Sequence, residues 1–255
     1  KQMKVLLTGG RGFVATHLEH ELKLKGYDVI NVSRSTDRTI DDILESQETF
    51  DFYIHSAGLS IDSPFSELKP YILSNVDLTK DIFARFEADR DAKRFIFFSS
   101  MYALDNTSES TAYAKSKALA EEFLKNTQDS RIQILRPALI CSPPAARGIL
   151  GPLQKLSRKG LGIRFPRGFS MSWVSIKTIM DSIMKTLNDE NYSHELNLID
   201  SEANLNRPKE WVLGFDVHSP KLIIPLSLFF LKIVFGLGHS FKLPFNKHFL
   251  RKLQS

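Results

Sequence analysis

Residues 4–8, KVLLT, form a short β-rich apolar run that stops on GGRG and passes straight into helical periodicity. Phe13, Val14, Leu18, Leu22 and Leu24 recur on one side of that helix, Gly26 closes it, and YDVINVS reads as a second strand. A strand, a glycine-rich turn, a helix and another strand make one βαβ unit. Joining two strands through a helix makes them parallel, because a hairpin is too short to do so.

The same alternation continues. FDFYIHSAG (50–58) is a strand running into a turn of small residues, and SELKPYILSNVDLTKDIFARFEAD is largely helical, with Pro70 near its start. KRFIFFSS is almost uninterruptedly apolar, as a strand covered on both faces should be. TAYAKSKALAEEFLKN has the composition of a strong helix, and RIQILRP is a further strand closed by Pro137. Alternating strands and helices predict an α/β protein with a doubly wound parallel sheet. After Pro143 the pattern breaks into SPPAARGILGPL, rich in proline and glycine; HELNLID (194–200) then reads as one more strand able to rejoin the sheet. The expected division is a dinucleotide-binding domain over 1–143 with that returning strand, and a small substrate lobe over 144–193 and 201–255.

Charge and cysteine usage narrow the function. The net charge is +5, but the basic residues are scattered, with no basic stripe interleaved with aromatics, so nucleic acid is not an expected partner. The lone Cys141 permits no intrachain disulfide and no cysteine metal site, which fits a reducing, cytoplasmic compartment. KQMKVLL turns strand-like too early for a signal peptide, and Met3 is the expected initiator. The most apolar run, KLIIPLSLFFLKIVFGLG (221–238), is interrupted by Pro225 and Lys232 and falls short of the roughly 20 clean residues a membrane span needs. It reads as a buried helix of a small domain, or as an apolar surface that docks to a membrane or a second subunit.

TGGRGFVA lies where a dinucleotide fingerprint belongs, after a strand and opening a helix. Gly9, Gly10 and Gly12 let the chain turn sharply and approach a pyrophosphate, and the helix N-terminus adds partial positive charge. Ala15 stands where a third glycine would allow close helix–strand packing. At the end of the second strand, where an acidic residue would bind a ribose 2′-hydroxyl, the chain reads Ser33-Arg34. A serine donates to a 2′-phosphate and a guanidinium pairs with it, so NADP is preferred and NAD possible; the alternative is a solvated arginine beside a cofactor of either form.

In YAKSK, Tyr113 and Lys117 lie one helical turn apart and share a face. A free phenol titrates near pH 10, so it serves as a base at neutral pH only where cations stabilise its anion. A buried ammonium and an oxidised nicotinamide can do that together; an exposed lysine cannot. Ser100, at the end of the preceding strand, would bind the oxygen of the reacting carbonyl or carbinol, while Tyr113 gives or takes the proton.

TGGRGFVA, HSAG, a helix opening with Asn75, FFSS, YAKSK and LRP, in that order, resemble the extended short-chain dehydrogenase/reductase family. Its best-known members are nucleotide-sugar epimerases, dehydratases and reductases on a Rossmann-type sheet. The resemblance is dense over 3–143 and looser beyond. It implies that Gly9, Gly12 and the backbone around Phe13 hold the pyrophosphate. Ser56, Ala57 and Gly58 lie along the cofactor, with Asn75 bracing that region and Pro137 flanking the nicotinamide. Ser100, Tyr113 and Lys117 match the catalytic trio, Lys117 also binding the nicotinamide ribose.

Departures accompany the resemblance. Only STDRTIDDILESQETF separates the second strand from FDFYIH, so the family's third strand is shortened or absent. Met101 and Tyr102 stand where a dehydratase carries an acidic pair, and Leu139 where several epimerases carry an asparagine for the substrate diphosphate. Arg147, Arg164 and Arg167 are candidates for a substrate phosphate. His55 and Cys141 read as packing residues rather than metal ligands. The expected protein is an NAD(P)-dependent epimerase or reductase of a nucleoside-diphosphate sugar, able to form a homodimer through the helices of Asn75 and Tyr113. The alternatives are an NADPH-dependent ketoreductase of a small steroid-, flavonol- or aldehyde-like substrate, and a non-catalytic cofactor sensor.

Overall fold

The computed structural model describes residues 2–34, 36–105, 110–141, 155–164, 170–188, 192–204 and 221–225. The chain divides into two compact units, Lys1–Pro137 with Ile176–Leu198 and Ala138–Ser175 with Ile199–Ser255.

The first unit is built on six parallel strands in the order β2-β1-β3-β4-β5-β9. These are β1 (Lys4–Thr8), β2 (Asp28–Val32), β3 (Phe52–His55), β4 (Arg94–Phe98), β5 (Ile132–Pro137) and β9 (Glu195–Leu198). The predicted doubly wound α/β architecture is present, and 194–200 supplies the returning strand. Between β2 and β3 the described residues hold one short helix, α2 (Ile40–Glu45), and no strand, so β2 is an edge of the sheet. A capping box between Thr39 and Asp42 starts that helix. β1 has β2 on one side and β3 on the other, so the winding reverses at β1. Ligands of such sheets bind beyond the carboxyl ends of the strands at that reversal. In this chain those ends are Thr8 and His55, and the candidate residues follow them.

Apolar density explains the strands. Every residue of β3 and β5 is buried, as are the last four of β1 and of β4. Tyr53, Phe86, Phe83 and Phe95 pack with ring centroids 5.2–5.6 Å apart, two pairs edge to face and two tilted. α1 (Phe13–Leu24) buries Ala15, Leu18 and Leu22, while Leu24, assigned to the same stripe, is exposed at the helix end.

The next helix starts before Asn75, not at it. α3 (Leu68–Tyr71) runs into a π-helical stretch (Ile72–Asp77) and on into α4 (Leu78–Ala88). Pro70 lies in the first turn, whose N–H groups have no partner within a helix, so it breaks no bond. α5 (Ala112–Asn126) is capped by the Thr111 hydroxyl, which accepts from the Ala114 N–H. α6 (Ile176–Asn188) belongs to the first unit rather than to the expected substrate lobe. It buries Ile179, Met180, Ile183 and Leu187, and its Thr186 hydroxyl donates to Gln133 of β5 at 2.8 Å.

The second unit holds two small sheets. β6 (Leu139–Cys141) runs parallel to β8 (Ser170–Ser175), which pairs antiparallel with β10 (Ser201–Asn204). β7 (Leu161–Arg164) pairs parallel with β11 (Leu222–Pro225). Arg164 ends β7 and is exposed, whereas Arg147, Arg167 and the apolar stretch 226–238 lie outside the described residues. No described helix is long and apolar enough to cross a membrane.

Candidate active site

The glycine turn after β1 is tied down by its own backbone. Gly9 and Gly10 both donate to the Val32 carbonyl, at 2.9 and 3.0 Å, and Gly12 donates back to Gly9 at 2.6 Å. The N–H groups of Gly9 and Gly12 are therefore satisfied internally, and the missing bulk of these residues is used by the chain itself. Gly9 has φ +103°, and a Cβ there would stand 2.8 Å from Ser56 Oγ and 3.1 Å from Ala57 N. Only glycine lets the turns after β1 and β3 come this close. Phe13 opens α1 immediately afterwards, its ring 4.4 Å from that of His17.

The turn after β3 is pinned to β1 and to the π-helical stretch. The Ser56 hydroxyl donates to the Thr8 carbonyl at 2.6 Å, and the Ala57 N–H to the Thr8 hydroxyl at 3.2 Å. Gly58, at φ +147°, passes so close to Asn75 that a Cβ would lie 2.4 Å from Asn75 Oδ1. Asn75 is completely buried. Its Oδ1 accepts from Leu59 N–H at 2.7 Å, and its Nδ2 donates to the Leu59 carbonyl at 3.2 Å and to Ser116 Oγ at 2.9 Å. Ser116 Oγ donates in turn to the Tyr113 carbonyl at 2.8 Å, so Asn75 links this turn to α5.

Ser100 caps the 3₁₀ turn Met101–Leu104, accepting from Tyr102 N–H at 3.3 Å, and shares a side-chain hydrogen bond with Tyr113. Tyr71 and Tyr102 stand edge-on to the Tyr113 ring, with centroids 6.2 and 6.3 Å away. Burial pushes the Tyr113 phenol up to about 12, against the hydrogen bond from Ser100; Tyr102, Tyr71 and the Asp62 carboxylate push it further up.

Lys117 shares the helix face with Tyr113 but is only 5% exposed, and its ammonium donates to the Phe98 carbonyl at 2.7 Å, 4.9 Å over the Phe97 ring. Burial pulls it down to about 8, opposed by the Glu121 carboxylate. A lysine that lowers the neighbouring phenol was expected. Here burial governs the phenol, and one of the three ammonium donors is engaged at the end of β4.

Ser33 bridges to Thr39, and its N–H donates to Thr36 Oγ1 at 2.8 Å. Arg34 follows it, exposed and without an ion pair among the described residues, whereas Arg38 pairs with Glu48. Pro137 is buried at the end of β5. Within the first unit, the fold thus joins Gly9 to Ser56 and Ala57, Gly58 to Asn75, and Ser100 to Tyr113. Sequence reasoning missed the polar side chains that brace them, Thr8, Thr79, Ser116 and Glu121. Each is 5% exposed or less, and only Thr8, which closes the apolar run KVLLT, stands out in the sequence as a polar residue beside an apolar stretch.

Residues 5–151, more than half of the chain, match the NAD dependent epimerase/dehydratase family. No curated protein matches. Among solved structures, the chain is similar to human epimerase family protein SDR39U1 (isoform 2) with NADPH, at 21% identity and a TM-score of 0.73, covering 95% of this chain and 89% of that one. It is similar to UDP-N-acetylglucosamine 4-epimerase from Bacillus cereus at 15% identity and a TM-score of 0.69, over 88% and 86% of the two chains. It is also similar to MoeE5 in complex with UDP-glucose and NAD, at 18% identity and a TM-score of 0.67, over 88% and 85%.

Proposed function

The chain belongs to the NAD dependent epimerase/dehydratase family, and on that premise we propose that it is an NADP-preferring oxidoreductase that reduces a keto group of a nucleoside-diphosphate sugar. The observation that carries the reading is the Tyr113 phenol, hydrogen-bonded to Ser100 and raised to about 12. A phenol in that state keeps its proton at neutral pH. It is suited to protonate an oxygen that gains negative charge, which is what hydride addition to a carbonyl produces.

The residues fit a dinucleotide. The turn at Gly9 and Gly12 leads into the N-terminus of α1, whose N–H groups suit a pyrophosphate. Arg34, exposed at the end of β2, offers its guanidinium to a 2′-phosphate. When bound, the nicotinamide supplies or accepts the hydride. Ser100 would donate to the substrate oxygen, Tyr113 would protonate it, and Lys117 would bind the nicotinamide ribose. The substrate oxygen, gaining the C=O π pair on reduction, would take the Tyr113 proton, and solvent would then reprotonate the phenolate. Epimerisation would use the same groups with the hydride returned to the opposite face.

The test pairs two measurements. Mass spectrometry of nucleotide released from the denatured protein, together with titration of the purified protein, should show NADP(H) bound in preference to NAD(H). Tyr113→Phe should lower turnover of nucleoside-diphosphate keto-sugars by roughly 10²–10⁴-fold and leave NADPH affinity within a few-fold. Wild-type turnover in that variant would remove Tyr113 from the chemistry, and tightly held NAD+ would point to an epimerase. A second reading, a ketoreductase of small apolar substrates, is favoured by Tyr102 and Leu104, exposed on the turn beside Tyr113 at 38% and 48%. Turnover of apolar ketones in place of sugar nucleotides would select it.

A further inference from the structure

His55, which reads as a packing residue in the sequence, ends β3 with no exposed surface. Its Nδ1 is 2.7 Å from Thr8 Oγ1 and its Nε2 is 3.0 Å from Thr79 Oγ1. Counting protons assigns every direction. The Thr79 hydroxyl has one proton and donates it to the Asn75 carbonyl at 2.7 Å. It can therefore only accept from the ring, so Nε2 carries a proton. A neutral imidazole has just that one, so Nδ1 accepts from the Thr8 hydroxyl. Thr8 Oγ1 in turn accepts from the Ala57 N–H at 3.2 Å.

We propose that His55 is a positioning residue, held as a neutral imidazole with its proton on Nε2. It completes a one-way chain of hydrogen bonds from the Ala57 N–H, through Thr8, the ring and Thr79, to the Asn75 carbonyl. The chain fastens the turn of Ala57 and Gly58 to the helix that carries Asn75. Through Asn75 and Ser116 it continues to the Tyr113 carbonyl. The surroundings keep the ring neutral. Phe97 stacks on it at 5.8 Å and Phe95 lies tilted at 6.2 Å. Burial, and then the charge of Lys117, push it down to about 3. A second proton, on Nδ1, would force Thr8 to accept where it now donates and would strand its hydroxyl hydrogen in the core. The hydrogen-bond chain stands on geometry alone; its bearing on cofactor binding rests on the function proposed above.

The experiment uses the full chain, ¹⁵N-labelled at histidine and free of cofactor. Ring nitrogen spectra between about pH 5 and pH 9 should show His55 with Nε2 protonated and Nδ1 bare throughout, whereas an unperturbed histidine titrates near 6.5. His55→Gln assigns the signal by its loss, and a selective shift of one ring's nitrogen signals in Thr79→Val assigns it independently should His55→Gln not fold. The Ala57 amide should exchange faster in Thr79→Val and be protected again in Thr79→Ser. NADPH affinity should fall about tenfold in Thr79→Val, with turnover at saturating cofactor within about twofold, and Thr79→Ser should recover it. A ring protonated on Nδ1, a titration inside that range, or equal Ala57 exchange in the Val and Ser variants would overturn the assignment. Should the wild-type protein bind no nicotinamide dinucleotide, the functional reading fails, and the spectra and exchange rates still decide the role of His55.

Discussion

Lys117 shows what a single buried charge does to the behaviour of this site. Its ordinary value is 10.5, and burial brings it to about 8 in the folded chain. Between those two values the unfolded chain binds a proton that the folded one has released, so folding gains stability as pH rises through that window. Below about 8 both states carry the charge, and the fold bears the cost of burying it. If the ammonium grips the cofactor ribose, the grip weakens in the same window. NADPH affinity, followed by calorimetric titration, should fall as pH rises above about 8, and Lys117→Met should bind weakly with no slope there. A wild-type affinity that stays flat across the window would detach Lys117 from the cofactor. The pairing of Tyr113 with Lys117 was legible, because helix geometry puts residues one turn apart on one face. The state of the phenol was not. It depends first on burial and then on Ser100, Tyr102, Tyr71 and the Asp62 carboxylate, which no local pattern brings to Tyr113.

Among the elements, the strands of the first unit, α5 and the helical stretch from Leu68 to Ala88 were readable, and the π-helical turn at Asn75 was not. β4 is apolar after Arg94, and β5 is buried throughout although it carries Gln133 and Arg136, as strands covered on both faces are. The π-helical stretch has no such signature, since one extra residue in a turn leaves composition and polarity unchanged. Asn75 was expected to open a helix. Instead it sits inside one, where the wider turn faces Gly58 and Leu59. This contact makes a sharp prediction. In Gly58→Ala the new Cβ would meet Asn75 Oδ1 at 2.4 Å, at a φ of +147°. The substitution should cost about 1–3 kcal/mol in urea unfolding and weaken NADPH binding, because the turn must let go of Asn75. Unchanged stability would mean that the turn and the helix move independently.

Across the first unit, one buried ionic network joins elements far apart in the chain. Arg136 of β5 makes two hydrogen bonds with Glu121 of α5, at 2.8 and 2.6 Å, and pairs with Glu195 of β9; Ser99 also donates to Glu121. The side chains of Arg136 and Glu121 are 5% and 6% exposed. Removing one partner from such a pair strands the other charge. Glu121→Ala should therefore destabilise the protein by about 3–5 kcal/mol, and adding Arg136→Met should recover much of that loss. Urea midpoints of the single and double variants measure both. The network also accounts for the returning strand, since Glu195 meets Arg136 and Lys125 where β9 closes the sheet.

The amino-acid order alone determined the winding of the first unit, the glycine turn and the shared face of Tyr113 and Lys117, because each follows from periodicity or backbone freedom within a few neighbouring residues. Folding decided the rest: the internal satisfaction of Gly9 and Gly12, the proton held on Tyr113, the neutral bridge at His55, and α6 packed into the first unit. These depend on which groups meet across the sheet and on how little water reaches them. Contacts and desolvation of that kind arise between residues tens of positions apart, where no local pattern records them.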